Sequence, residues 1–148
     1  VGPAARACGL LRDARYSHPS GLFRFAQPNI CTYDSGDVFS RAYVRWMEIQ
    51  ESSDFMDVQL GEIPGGSARL PMGASESGCL SVAIIEGWRG EICHVAITDE
   101  RGAFRRYKIV DPSFHNWHGL ACALTDQEIS DFPICNKSFN LSYCGHDL

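Results

Sequence analysis

The sequence contains no apolar run that approaches the roughly 18–20 residues needed to span a bilayer as a helix. It also lacks a basic stripe: the formal charge is −5 and the arginines are dispersed, which argues against a nucleic-acid partner. Neither a Gly-x-Gly-x-x-Gly turn nor a phosphate loop is present. With 148 residues, 45% hydrophobic and 21% charged, the composition predicts one globular domain with a buried core.

No Cys-x-x-Cys pair occurs either. The seven cysteines form an odd, scattered set, which indicates neither a disulfide framework nor a zinc ribbon. They are Cys8, Cys31, Cys79, Cys93, Cys122, Cys135 and Cys144. We expect reduced thiols in a cytosolic protein, several of them acting as small buried hydrophobes.

The first residues, Val1–Arg6, have neither a start methionine nor the apolar stretch of a signal peptide. We therefore expect a piece of a longer protein. Residues 1–32 show no convincing period and are rich in turn dipeptides, so they predict mostly loop with one short helical piece.

One stretch predicts a long amphipathic helix. Asp34-Ser35-Gly36-Asp37 is a helix start, in which Ser35 or Asp37 can cap the first amides. Apolar residues then recur at three- and four-residue steps to about Gln50–Gln59, which predicts a buried stripe. The stripe consists of Val38, Ala42, Tyr43, Trp46, Ile49 and Phe55. The other face, which we expect in solvent, consists of Arg41, Arg45, Glu48 and Glu51, with Arg41 bordering the stripe.

Three short β-branched runs follow a linker over residues 60–78. They predict an antiparallel sheet of strands 79–85, 92–98 and 103–110, which Pro112 ends because proline cannot continue a ladder. Short helices are predicted near 116–124 and between 129 and 143. The fold class is therefore α+β: a long amphipathic helix, a small three-stranded antiparallel sheet and short C-terminal helices.

The charged turn between the first two strands, Glu86-Gly-Trp-Arg-Gly-Glu91, has two interpretations. Gly87 and Gly90 allow a sharp turn or a close backbone approach. On composition the turn predicts a solvated hairpin loop. Alternatively, it places Arg89 and two carboxylates at the rim of the sheet, where they can carry chemistry.

Two other groups of residues give weaker evidence for a functional site. Asp111, His115 and His118 suggest a metal cluster, but Trp117 lies between the histidines and no glutamate follows His115 as general base, so we expect no metal there. Cys93 and His94 are adjacent on a strand and point to opposite faces, which excludes a nucleophile pair.

Five stretches, read in order, resemble one family. They are Val1-Gly-Pro-Ala-Ala-Arg-Ala-Cys-Gly9 ("GPxxRASG"), Tyr33–Glu48 ("GDxxxRxxVRxxE"), Glu86–Glu91 ("EAPRGE"), Asp111-Pro-Ser-Phe-His-Asn116 ("APSFxN") and Asp131–Asn140, the approach to a final metal-binding motif. Together they resemble the C-terminal part of the large subunit of membrane-bound nickel-iron hydrogenases of the formate hydrogenlyase type. The quinone-site large subunit of respiratory complex I, an NADH dehydrogenase, is related. The resemblance spans nearly the whole chain and implies that residues 1–148 are a single C-terminal fragment of such a subunit.

The resemblance also implies a site. Arg89 would overhang the nickel-iron centre, flanked by Glu86 and Glu91, and Pro112 and Ser113 would line the same pocket. A guanidinium there is permanently charged and can hold a developing negative charge.

The ligands of the metal are missing. The family's C-terminal Cys-x-x-Cys aligns with Ser142 and Gly145, while Cys144 falls one place out of register. Serine and glycine cannot replace two thiolates, so we expect no nickel-iron centre and no cofactor in this chain. An N-terminal Cys-x-x-Cys upstream of Val1 would reopen that question.

The implied function is a wall of a redox pocket, quinone-binding or formerly nickel-iron, in a hydrogenase-like or complex-I-like oxidoreductase of electron transport and NAD-linked respiration. The implied partners are a small subunit with an iron-sulfur cluster and membrane subunits, on the cytoplasmic side of the inner membrane as a peripheral component. Two alternatives remain open: a purely structural subunit, whose charged turn pairs with neighbouring subunits, and a genuine hydrogenase component whose ligands lie outside this chain.

Overall fold

A computed structural model describes residues 1–67 and 69–147 and confirms the α+β class. Its helices are α1 (Gly2–Arg6), α2 (Ala14–Ser17), α3 (Val38–Gly61), α4 (Ser113–Ala123), α5 (Phe132–Phe139) and α6 (Tyr143–His146). Its strands are β1 (Leu80–Gly87), β2 (Gly90–Thr98) and β3 (Phe104–Val110). Two 3-10 turns lie at Gly21–Arg24 and Ile129–Asp131.

The three predicted strands are present, and they form one antiparallel sheet in the order β1-β2-β3. Glu86 and Glu91 belong to the strands and are direct cross-strand partners, as are Gly87 and Gly90. The charged turn therefore has only two connecting residues. Its tip presents Trp88 and Arg89, while its carboxylates lie along the ladder.

Helix α3 begins where the sequence predicts. The Asp37 side chain accepts a hydrogen bond from the Ser40 backbone nitrogen at 2.7 Å and so satisfies one free amide of the first turn. Within the described residues, no helix, α3 included, combines the length and the apolarity that crossing a membrane requires.

The buried face of α3 is not the predicted one. Trp46 and Ile49 are 55% and 49% exposed, whereas Arg41 and Arg45 are 3% and 9% exposed. The expectation of a buried apolar stripe and a solvated charged face was therefore wrong for Trp46, Ile49 and Arg45. Arg41, the member of the charged face that borders the stripe, is buried.

The reason is that both arginines bind the C-terminal end of α5. Arg41 Nε donates to Ser138 Oγ at 2.8 Å, and its guanidinium lies 4.3 Å from the Phe139 ring centre. Arg45 Nη1 and Nη2 donate to the carbonyls of Ser138 and Phe139 at 2.5 and 3.0 Å. The last carbonyls of a helix have no partner within it, and cations near them are favourable. Burial lowers the pKa of both guanidinium groups, but arginine remains protonated.

The apolar core is small. Leu120, Cys135, Phe139 and Leu141 form it between α4 and α5. Cys135 is the one buried cysteine among seven free thiols, so the expectation of several buried thiols was wrong. Many large apolar side chains outside this core, on α3 and on the sheet, remain exposed.

Candidate functional site

The tip of the β1–β2 hairpin is fixed by a backbone contact with α1. Gly2 and Gly90 have φ of +61° and +131°. A Cβ at Gly2 would lie 2.4 Å from the Gly90 Cα, so neither position leaves room for a side chain. The close approach that Gly90 was expected to allow is thus made to the first residues of the chain.

Asn116 on α4 holds the same tip from the other side. Its Nδ2 donates to the Arg89 carbonyl at 3.0 Å, and its Oδ1 accepts from the Val1 nitrogen at 2.8 Å. Because Asn116 is only 4% exposed, these bonds form away from solvent. One buried amide therefore joins the tip, α1 and α4.

Arg89 itself reaches the segment between α5 and α6. Its Nε donates to the carbonyl of Asn140, the left-handed residue (φ +53°) that ends α5. Its Nη atoms make no hydrogen bond to any residue that the structure describes. The side chain is half-buried. Its guanidinium group is held through Nε, and its Nη atoms can still donate hydrogen bonds to a ligand.

Pro112 and Ser113 lie beneath this segment. Both are fully buried, and Ser113 Oγ accepts from the Ser142 backbone nitrogen at 2.9 Å. The Ser113 nitrogen donates to Asp111 Oδ1 at 2.8 Å. In this chain, Ser113, one of the two residues that the resemblance placed in a pocket, binds the stretch that carries Ser142.

Ser142 and Gly145, which the resemblance aligns with two cysteines of nickel-iron hydrogenases, do not fit a nickel-iron centre. Ser142 Oγ is already bonded to the Gly145 nitrogen at 3.0 Å and caps α6. A Cβ at Gly145 would lie 2.6 Å from the Cγ of Asp111, so the Asp111 carboxylate fills the space that a cysteine side chain needs. Nickel prefers soft thiolates, and this pair provides none.

The other candidate metal ligands, Asp111, His115 and His118, do not form a metal site. Across residues 1–67 and 69–147, no three His, Cys, Asp or Glu side chains are arranged to hold a metal ion. His118 lies 3.7 Å from the sulfur of Cys122, and the His115 ring packs edge-on against Phe114.

Each carboxylate of the hairpin pairs with an arginine from the N-terminal segment. Glu86 Oε1 accepts from Arg6 Nη1 at 2.8 Å, and its Oε2 accepts from the Ala14 nitrogen at 2.9 Å. Glu91 is bound by both Nε and Nη2 of Arg12, at 3.2 and 2.6 Å. The Glu86 side chain is only 6% exposed, so the solvated-loop interpretation fails for it.

Arg6 is the centre of a larger buried cluster. Its Nε lies 2.6 Å from Glu48 Oε1, and its Nη1 lies 3.5 Å from Asp13 Oδ2. Asp13, itself buried, is bound by both Nε and Nη2 of Arg15. The cluster therefore joins α1, α2, α3 and β1.

Burial and charge compete within this cluster. Burial would lower the pKa of Arg6, but Glu48 and Glu86 raise it. Burial would raise the pKa of Asp13, but the hydrogen bonds from Arg15 lower it. For Glu48 burial prevails: its pKa is raised despite the nearby Arg6.

Two clefts lie along α3 on either side of Trp88. The first, of about 400 Å³, is bounded by Arg6, Arg15, Glu48, Ile49, Ser52, Ser53, Met56, Glu86, Gly87 and Trp88. The second, of about 460 Å³, is bounded by Val38, Ala42, Arg45, Trp46, Ile49, Trp88, Ile134, Lys137, Ser138 and Asn140. Ile49 and Trp88 border both, so the two clefts are adjacent along α3.

The sequence-based site missed four residues that organise the tip: Arg6, Arg45, Asn116 and Asn140. The first three are fixed letters of the motifs quoted above, so the signal was present. It was not used because a motif letter says nothing about which distant residue it contacts.

One family model, described as "Respiratory-chain NADH dehydrogenase, 49 Kd subunit", matches residues 1–77. The carbon monoxide-induced hydrogenase of Rhodospirillum rubrum is 30% identical over 144 residues, covering 95% of this chain and 39% of that protein. Formate hydrogenlyase subunit 5 of Escherichia coli is 27% identical over 143 residues, covering 97% of this chain and 25% of that protein. A subunit of the NADH-quinone oxidoreductase of Herpetosiphon aurantiacus is 26% identical over 153 residues, covering 95% of this chain and 40% of that protein.

Among solved structures, a chain of the membrane-bound sulfane sulfur reductase, an archaeal respiratory membrane complex, matches with a TM-score of 0.89. The identity is 22%, and the match covers 100% of this chain and 42% of that chain. This likeness shows the fold. The chain spans less than half the length of each of these relatives.

Proposed function

Because the chain belongs to the family of the respiratory-chain NADH dehydrogenase 49 kDa subunit, we propose that it forms one wall of a redox pocket in a large subunit. That subunit is part of a hydrogenase-like or complex-I-like membrane-associated oxidoreductase, and residues 1–148 are its C-terminal fragment. Family membership confirms the resemblance that the five sequence motifs predicted.

The observation that carries this proposal is the anchoring of Arg89. Its Nε binds the Asn140 carbonyl, two residues before Ser142, the position that the resemblance aligns with the first C-terminal cysteine of nickel-iron hydrogenases. The donors left on the guanidinium are suited to an anionic group or to charge that develops on a quinone-like acceptor. The arginine is thus retained beside a position that has lost its thiolate.

We propose further that Glu86 and Glu91 hold the hairpin so that Arg89 keeps this position. Both have arginine partners within the chain, which supports a positioning role. A direct role of either carboxylate in catalysis stays a prediction, as does a contact of Pro112 or Ser113 with a cofactor.

The pocket is proposed to contain no nickel-iron centre. Metal analysis of the full-length subunit tests this, because stoichiometric nickel would overturn it and would support a genuine hydrogenase component. The proposed partners are an iron-sulfur small subunit, which donates electrons, and membrane subunits. The proposed position is peripheral, on the cytoplasmic side of the inner membrane.

A purely structural role is the second candidate, favoured by the pairing of Glu86 and Glu91 with arginines of the same chain. The variant Arg89→Ala in the assembled complex separates the two. A pocket role predicts a loss of turnover of about 10²–10³-fold with normal assembly, the typical effect of removing one positioned donor. Arg89→Lys should recover part of the turnover, since lysine restores the positive charge but not the planar pair of guanidinium donors.

The matched control is Arg101→Ala, which removes an exposed arginine from the other hairpin of the same sheet. Turnover should be normal in this variant. If Arg89→Ala instead lowers the amount of assembled complex and leaves turnover per complex unchanged, the structural role is correct and the pocket role is wrong.

A further inference from the structure

The exposed side of α3 carries a regular apolar seam. Its members follow alternating steps of three and four residues over the whole helix: Phe39, Ala42, Trp46, Ile49, Ser53, Met56 and Leu60. All seven are exposed, and the five large ones have between 49% and 66% of their surface open to solvent. This is the a/d spacing with which one helix packs lengthwise on another.

The middle of the seam also borders the two clefts described above. Ile49 borders both clefts, Trp46 borders one and Met56 the other, and Trp88 stands on the opposite wall. From Phe39 to Leu60 the seam is about 32 Å long at 1.5 Å per residue. The length of the seam therefore matches a helix of about 20 residues and exceeds what a loop or a small ligand needs.

The charges at the C-terminal end of α3 indicate the charge of a helix that would bind the seam. The C-terminal end of α3 carries Asp54, Asp57 and Glu62, and no lysine or arginine occurs between Trp46 and Ser67. Acidic residues at a helix C-terminus oppose the helix dipole, so cations from a partner are favoured there. A second copy of α3 offers none, because its Arg41 and Arg45 are buried.

We propose that the seam binds one amphipathic helix of about 20 residues, which has an apolar heptad face and Lys or Arg beside the acidic end of α3. The helix comes from the part of the large subunit outside residues 1–148. The relatives support this source, since the chain covers only 25–40% of their length. The inference rests on family membership and not on the redox role of Arg89.

Site-specific photocrosslinking in the full-length complex tests this proposal. Benzoylphenylalanine is placed at Met56, on the seam, or at Val58, on the opposite face in line with the buried Val44. The two positions are matched, with 55% and 58% of the residue exposed on the same helix. We expect Met56 to crosslink to one peptide of the large subunit, with apolar residues at heptad spacing and a basic end, and Val58 not to do so.

A crosslink from Met56 to a second copy of residues 38–61, to lipid or to no protein at all would overturn the proposal, and so would equal yields at both positions. The pair Met56→Lys and Val58→Lys gives a second measurement. Met56→Lys should lower the amount of assembled complex about tenfold, because an unpaired ammonium is costly to bury. Val58→Lys should assemble normally. Neither readout measures turnover, so failure of the proposed redox pocket leaves both results unchanged.

Discussion

The two carboxylates of the hairpin stand directly opposite each other, and each pairs with an arginine from the first twelve residues. The two pairs nevertheless differ in their surroundings. Arg6 and Glu86 have side chains that are 1% and 6% exposed, whereas Arg12 and Glu91 are 60% and 18% exposed. Chemically equivalent pairs, whose carboxylates share one rung of the ladder, therefore stand in different dielectric environments.

This difference shows that burial, and not pairing alone, determines how much stability is lost when one partner of such an ion pair is removed. An exposed pair gains little, since water and salt screen it. A buried pair contributes little net stability when intact, but removal of one partner leaves a charge without compensation. Arg6 has three carboxylates around it, so its removal has the larger consequence.

The largest effect is expected for Arg6→Met in the purified subunit. The change keeps much of the side-chain volume but leaves Asp13, Glu48 and Glu86 with less positive charge in a buried cluster. We expect a loss of about 3–5 kcal/mol in the free energy of unfolding. Urea denaturation measures it, with Arg12→Met as control. Similar losses in the two variants would refute the distinction between the pairs.

An intermediate effect is expected from Glu48, through pH. Its pKa is raised in the folded state above the ordinary 4.5, so the folded chain binds more protons and stability falls as pH rises through that window. Asp13, with a lowered pKa, has the opposite sign: its contribution is present above pH 3.8 and is lost as pH falls.

Glu48→Gln should therefore remove the loss that accompanies rising pH. Unfolding free energies from pH 4 to 8 should show the variant gaining on the native chain as pH increases from about 4.5. Glu62→Gln, which neutralises an exposed carboxylate after α3, controls for the change of net charge. A difference that stays flat or reverses with pH would contradict the assignment to Glu48.

The smallest effect is expected for Arg12→Ala. Arg12 is largely exposed, so the loss should be within about 1 kcal/mol despite the two-point contact with Glu91. That loss should shrink further at about 1 M salt, where screening acts over about 3 Å. Urea denaturation at low and high salt checks both, and a larger or salt-independent loss would indicate that the pair is effectively buried.

Local patterns predicted much of the fold. Asp37 caps α3, the β-branched runs form the sheet, and Pro112 follows the last strand, because each depends on neighbours within a few residues. The orientation of α3 was not predictable in this way. Its amphipathic pattern shows two faces, but only the carbonyls of Ser138 and Phe139, more than 90 residues away, decide that Arg45 faces inward.

In the candidate site, too, features that depend on neighbouring residues were predictable and features that depend on distant residues were not. The turn and its arginine could be found in the sequence, since Gly90 and the flanking strands mark them. The partners of Glu86 and Glu91 could not, because the motif letter Arg6 does not say which distant residue it contacts and nothing local distinguishes Arg12 from the other dispersed arginines. The lack of space for a side chain at Gly145 was equally unpredictable, because it depends on the carboxylate of Asp111, which is distant in sequence.

The contact between Arg6 and Glu86 joins residues 80 positions apart. At the usual ~5–20 residues per second of synthesis, the Glu86 codon is translated roughly 4 to 16 seconds after that of Arg6. For that interval the first arginine of the cluster is made and its hairpin partner is not. Contacts of such sequence separation are slow to form. The N-terminal segment is therefore made first but can complete its buried ion pairs only after the hairpin has been made.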